Sequence, residues 1–182
     1  IAFQEYIMEI ISSANTSLPS IRISRIFSQS IINQWWKEII DWDGDSNKAK
    51  AYETLENAFT GANLVASVDN HDKLVAIASY MTITSNLRLS MMSDVRRNRI
   101  PRQLSNIIND MGMVFIYSFA GNGKGGGRLI MEDLKRVAIE QELPLFLNSS
   151  EEARSFYTKM GFKRVSTSNH YYWIQNKSES ST

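Results

Sequence analysis

The apolar positions change period along the chain, and each change predicts an element. Phe3, Ile7, Ile10 and Ile11 recur at helical spacing before a break at Asn15 to Pro19, which predicts a short amphipathic helix packed across a sheet. Ile21 to Ile26 alternates as a first strand should. Ile31, Ile32, Trp35, Trp36, Ile39 and Ile40 then return every three to four residues, predicting a helix that stops near Asp43-Gly44. A more polar helix follows from about Ser46 to Thr60, ended by Gly61. Asn63 to Asp69 and Leu74 to Ile83 flank the polar tetrad Asn70-His71-Asp72-Lys73, a hairpin by composition, with His71 a solvated turn residue. Met113 to Ala120 is a fourth strand. The helix after it, Gly127 to about Glu140, carries Ile130, Leu134, Val137 and Ala138 on its inner face, and Pro144 to Asn148 reads as a buried fifth strand parallel to the fourth, closing a right-handed βαβ unit. Ser149 to Glu152 has the form of a capping box, with Ser149 at the cap, opening a helix whose stripe is Ala153, Phe156, Tyr157 and Met160 and whose stop is Gly161. Phe162 to Val165 and His170 to Gln175 supply a last antiparallel pair, giving seven strands.

Residues 84–112 are less regular. Leu87 to Met92 continues a strand pattern, Gln103 to Met111 reads as a short helix, and Arg88, Arg96, Arg97, Arg99 and Arg102 bring five of the 20 basic residues into one segment. A solvated loop explains this, and so does an electropositive rim that receives a phosphate or an anionic acceptor. The pattern divides the chain into an amino-terminal helix and linker at 1–20, one folded domain at 21–176, and a Ser-rich disordered tail at 177–182.

Composition narrows the function classes. With 182 residues, 43% hydrophobic and 21% charged, the chain has the length for one domain with a full core. A net charge of +1 provides no overall field for nucleic acid or an anionic membrane, so neither is an expected partner. The absence of cysteine excludes disulfides, thiolate metal sites and a cysteine nucleophile, and fits a cytoplasmic setting. No run approaches the ~18 apolar residues that cross a bilayer.

The candidate chemistry lies where the fourth strand opens into Gly121-Asn122-Gly123-Lys124-Gly125-Gly126-Gly127. Five glycines in seven residues let another molecule approach the main chain, and the following helix aims its free amides at the same place. A Walker loop requires Ser or Thr after Gly-Lys, whereas Gly125 follows Lys124. A dinucleotide fingerprint, Gly121-x-Gly123-x-x-Gly126, requires an acidic residue about 20 positions on, where the sequence has Asn148-Ser149-Ser150. In a third design a pyrophosphate lies on the loop and a thioester runs back along the strand. Asn122-Gly-Lys-Gly-Gly-Gly127, with Leu129, Ile130 and Leu134 after it, resembles motif A of the GCN5-related N-acetyltransferases, (Gln/Arg)-x-x-Gly-x-(Gly/Ala), with Asn122 in the place of Gln or Arg. About 25 residues on, Ala153-Arg-Ser-Phe-Tyr157-Thr-Lys-Met-Gly161-Phe162 resembles motif B, Asn-x-x-Ala-x-x-x-Tyr-x-x-x-Gly-Phe, with Ser150 at the Asn position.

This resemblance covers roughly residues 20–175. It implies an α/β fold, a mixed sheet of about seven strands with helices on both faces and a V-shaped cleft between strands four and five. It implies acetyl-coenzyme A as acyl donor, a primary amine as acceptor, no metal and no membrane, and it allows a homodimer. The cofactor contacts it implies are Tyr117, Ser118 and Phe119 at a bulge of strand four, the loop from Asn122 through Gly123, Lys124, Gly125, Gly126 and Gly127 to Arg128, and Asn148, Ser150 and Ala153 on the other side. With Asn122 short, the amides of 123–128 should carry the pyrophosphate. Tyr157 matches the tyrosine that protonates the departing thiolate. Trp35 and Trp36 are core residues by spacing, though in the family the helices after the first strand also wall the acceptor pocket. Strand four carries no Asp or Glu as base, which leaves Asp110, His170, Tyr171 or a water relay. The alternative is a degenerate coenzyme A-binding or interaction module without catalysis. A third reading, an amine carried on RNA, rests on the arginine segment.

Overall fold

A computed structural model describes residues 20–83 and 111–176. The expected amino-terminal helix, the strand and helix within 84–110, the arginine segment, Asp110 and the carboxy-terminal tail lie outside the described residues.

Among the described residues the order is β1 (Arg22–Ser24), α1 (Gln29–Ile39), α2 (Asp45–Glu56) with a 3-10 turn at Asn57–Phe59, β2 (Asn63–Val68), β3 (Leu74–Ile83), β4 (Met113–Gly121), α3 (Gly126–Gln141), β5 (Leu145–Asn148), α4 (Arg154–Lys159), β6 (Lys163–Arg164) and β7 (His170–Trp173). They form a seven-stranded sheet in the order β1-β2-β3-β4-β5-β7-β6. Only β4 and β5 pair in parallel there, as the crossover through α3 requires.

Alternation along the strands distributes side chains to two cores. Val65, Ala76, Ala78, Val114 and Ile116 pack against Ile130, Met131 and Leu134 of α3, while Ala66, Val68, Ile77 and Ala120 pack against Ile32, Trp35 and Ile39 of α1 and Ala51 and Leu55 of α2. Helices therefore cover both faces. Trp35 is one of the largest fully buried side chains, whereas Trp36 points outward and packs on Tyr52 at 4.6 Å between ring centroids. Burying a side chain of this class is worth about 1.5–3 kcal/mol, so the tryptophans at helical spacing serve packing first.

Local signals account for most boundaries. Ser28 caps α1, its hydroxyl accepting from the Ile31 amide at 3.2 Å. The hairpin turn is held by Asp69, whose carboxylate accepts from the His71 and Lys73 amides. Gly161, at φ +86°, ends α4.

The expected capping box at Ser149 does not form. The Ser149 amide donates to Asn169 O at 2.7 Å and its hydroxyl donates to Ser150 O, so Ser149 extends β5 and the helix starts four residues later, behind Ala153. An inner strand that continues its ladder beside β7 to residue 149 removes the serine from the cap position.

Candidate active site

The site begins with a register fault. β3 and β4 pair from Ala76↔Gly121 to Ser79↔Ser118 and resume at Tyr80↔Ile116, which leaves Tyr117 as the extra residue of a β-bulge. On the other edge β4 pairs with β5 only from Val114↔Leu145 to Ile116↔Leu147. Beyond the bulge the two parallel strands part, and the gap between them is a cleft.

α2 lies along this cleft because a polar stripe at helical spacing faces β4. Asn47 Nδ2 donates to Gly121 O at 2.6 Å, and about two and three turns later Thr54 and Asn57 reach Ser118 and Ser79. Thr54 Oγ1 donates to Lys50 O at 2.7 Å, so its single hydroxyl proton fixes the rest of the chain: Ser118 donates to Thr54, Ser79 to Ser118, and Asn57 Nδ2 to Ser79. Every donor is used. The Ser118 side chain is thus committed to holding α2 against the bulge, and what Ser118 offers the cleft is main chain.

The cleft holds two connected cavities. The outer one, about 580 Å³, lies between the first turn of α2, the glycine loop and the 150–156 segment. The inner one, about 110 Å³, lies at the bulge. Lys50, Phe119, Ser150 and Ala153 line both, which makes one groove. Of the residues expected from the sequence, Gly123, Gly125, Gly127 and Arg128 line the outer part, and Tyr117, Ser118, Asn148 and Tyr157 the inner part.

Asn122, Lys124 and Gly126 are loop residues that line neither cavity. Asn122 Oδ1 accepts from the Lys124 amide at 3.1 Å, so this amide is spent inside the loop and the set free for a ligand is smaller than the expected 123–128. Gly126 opens α3 against β2 and β3, where a Cβ would collide with Ser67 Oγ and Val75 Cγ1. Gly125, at φ +90°, stands at the N-cap and brings no side-chain acceptor, so the first amides of α3 keep their free donors at the groove.

Tyr157 is 5% exposed among the rings of Phe119, Phe156, Phe162 and Tyr171. This burial pushes its phenol well above the ordinary value near 10, so it stays a proton donor across the physiological range. His170 and Tyr171 line neither cavity. His170 lies beside Phe146, and Tyr171 is part of the core under α3. Glu53 of α2, given no role by its sequence pattern, lines the inner cavity together with Lys50. The stripe Asn47, Lys50, Thr54 and Asn57 was the available signal that this helix faces a strand.

Residues 109–175 match the family model described as an acetyltransferase (GNAT) domain. The match takes in β4, the glycine loop, α3, β5 and the strands after it, which are the elements that build one wall of the groove. Over that stretch the chain is similar to the GCN5-related N-acetyltransferases. Among solved structures its fold resembles that of the Bacillus subtilis N-acetyltransferase YlbP in complex with coenzyme A, at 14% identity and TM-score 0.53 over 86% of this chain and 97% of that one. It also resembles the Drosophila melanogaster polyamine N-acetyltransferase, at 10% identity and TM-score 0.50 over 86% of this chain and 100% of that one. AtaT complexed with acetyl-methionyl-tRNAfMet matches at 12% identity and TM-score 0.53 over 88% of this chain and 98% of that one. No curated protein matches this chain in sequence. The reaction class is acyl transfer, and among the described residues no helix is long and apolar enough to cross a membrane.

Proposed function

We propose that the protein transfers an acetyl group from acetyl-coenzyme A to a primary amine by direct attack on the thioester. The observation that carries this reading is the single groove that runs from the uncapped amino terminus of α3 to the β4 bulge and ends beside Tyr157. The pyrophosphate rests on the free amides of the glycine loop and the first turn of α3, with Arg128 at the rim. The pantetheine chain follows the apolar wall of Phe119, Ala153 and Phe156 and places the thioester at the bulge, where the extra residue Tyr117 leaves main chain unpaired with β3 and able to polarise the carbonyl. Tyr157 gives its proton to the departing thiolate. Its ring is fixed by four aromatic neighbours, which holds the hydroxyl in one place.

The neighbours in complex with coenzyme A or named for polyamine substrates support the donor and the amine class. One observation favours the second reading, a coenzyme A-binding module without catalysis. Asn122, at the first position of motif A, has its side chain turned into the loop. Calorimetry with acetyl-coenzyme A followed by thiol release with an amine library separates the two. Binding with release supports transfer, binding without release supports the module, and no binding up to about 1 mM rejects both.

A further inference from the structure

Glu53 and Tyr157 line the same 110 Å³ chamber from different elements, Glu53 from α2 and Tyr157 from α4. Among the described residues Glu53 is the one carboxylate that lines it; the other titratable groups there are Lys50, Tyr117 and Tyr157. The fold determines which way Glu53 faces. Ala51, Thr54 and Leu55 are the buried positions of α2, and Thr54 is tied to Ser118, so the residue between them lies at the edge of the cleft. Its carboxylate makes no hydrogen bond or ion pair with another described residue, and the residue is exposed to solvent.

We propose, resting on the acetyl-transfer reading above, that Glu53 is the general base that takes the proton from the acceptor's ammonium group. An amine at neutral pH is protonated and has no lone pair to attack with, so one proton must leave before the carbon–nitrogen bond forms. The acid buried on α4 gives a proton to the sulfur, and a base on α2 takes one from the nitrogen. The steps balance. The ammonium gives a proton to Glu53, which returns it to solvent at its exposed edge. The amine nitrogen bonds to the carbonyl carbon, the carbon–sulfur bond breaks, and the sulfur takes the Tyr157 proton. The second proton lost by nitrogen restores Tyr157, so each turnover releases one proton. His170 and Tyr171 are outside the chamber.

The test compares the wild type, Glu53→Gln and Glu53→Asp with acetyl-coenzyme A and three probe nucleophiles: agmatine and spermidine, which are ammonium ions at pH 7, and hydroxylamine, which is neutral there. Glu53→Gln should lower kcat for the two ammonium probes by about 100-fold at pH 7. The deficit should shrink to about 3-fold near pH 10, where these amines begin to lose their own protons, and hydroxylamine turnover should stay within about 3-fold throughout. Glu53→Asp should recover part of the rate, and acetyl-coenzyme A affinity should stay within about 2-fold in both variants. A deficit equal at all pH values and for all probes would mark a structural effect and overturn the assignment. So would an unchanged kcat, or a wild type that binds acetyl-coenzyme A and turns over none of the probes. If the wild type does not bind acetyl-coenzyme A at all, the acetyl-transfer reading itself falls, and the binding arm records that separately.

Discussion

The two ends of the groove are built from different materials. At the outer end the chain offers main chain, with glycines clearing the approach and α3 starting without a side-chain cap. At the inner end it offers side chains, Glu53, Tyr117 and Tyr157, from three elements held by a hydroxyl network and an aromatic cluster. The glycine loop and helix start that give the outer end its amides are contiguous in sequence, whereas the side chains of the inner end come from positions more than a hundred residues apart. A backbone site holds its ligand without choosing the chemistry, whereas the side-chain site carries the chemistry. Substitutions at the outer end should therefore act on affinity, and those at the inner end on turnover.

The largest effect tests the inner end. Tyr157→Phe removes one oxygen from a ring that four aromatics hold in place, so the fold should survive. Turnover should fall by about 10²–10⁴-fold with acetyl-coenzyme A affinity nearly unchanged. The pH dependence follows from the sign of the shift. Desolvation raises the phenol in the folded state, so the protonated form persists above the ordinary value near 10 and Tyr157 imposes no alkaline fall in rate below that pH. Between the ordinary value and the raised one the unfolded chain ionises first, and stability falls as pH rises through that window. Steady-state rates and thermal melts from pH 7 to 11 check both parts. A rate lost below pH 9 would place the titrating acid elsewhere.

Gly126→Ala tests the outer end. A methyl there meets Ser67 Oγ and Val75, both on strands beneath α3, so the first turn of the helix must lift. Overpacking of this kind costs about 1–3 kcal/mol, visible as a lower Tm. Because Gly126 does not line the groove, its effect on the ligand passes through the displaced amides: KM for acetyl-coenzyme A should rise while kcat at saturation stays near wild type. Equal losses in both would mean that the two ends are not separable.

The order of elements was readable because hydrophobic period is a local property, and the helices at 29–39 and 126–141 and the hairpin strands fall within a few residues of expectation. The loop was readable for the same reason, whereas the bulge near Tyr117 was expected only from the family resemblance, because nothing in the local pattern of β4 marks it. The capping box failed because Ser149 had a competing partner, Asn169 O, twenty residues ahead in sequence. Glu53 was unreadable for a related reason. Its helix has weak amphipathicity, with Thr54 rather than an aliphatic residue at the sheet contact, and nothing local to it records that Ser118 and Ser79 lie opposite.

The smallest effect sharpens the comparison most, because it asks whether the outer end uses any side chain at all. In motif A a long polar residue at the position of Asn122 reaches the phosphate. Here Asn122 Oδ1 accepts from Lys124 N and the residue lines neither cavity. Asn122→Ala removes that hydrogen bond, worth about 0.5–1.5 kcal/mol to the shape of the loop, and at the same time frees the Lys124 amide to face the ligand. The two consequences oppose each other, so the Kd for acetyl-coenzyme A should change by less than about 5-fold, measured by calorimetry at fixed salt. Gly125, with its free helix amides, is untouched by the change. A loss beyond about 30-fold would mean that Asn122 swings out of the loop to hold the phosphate directly, and the outer end would then be a side-chain site like the inner one.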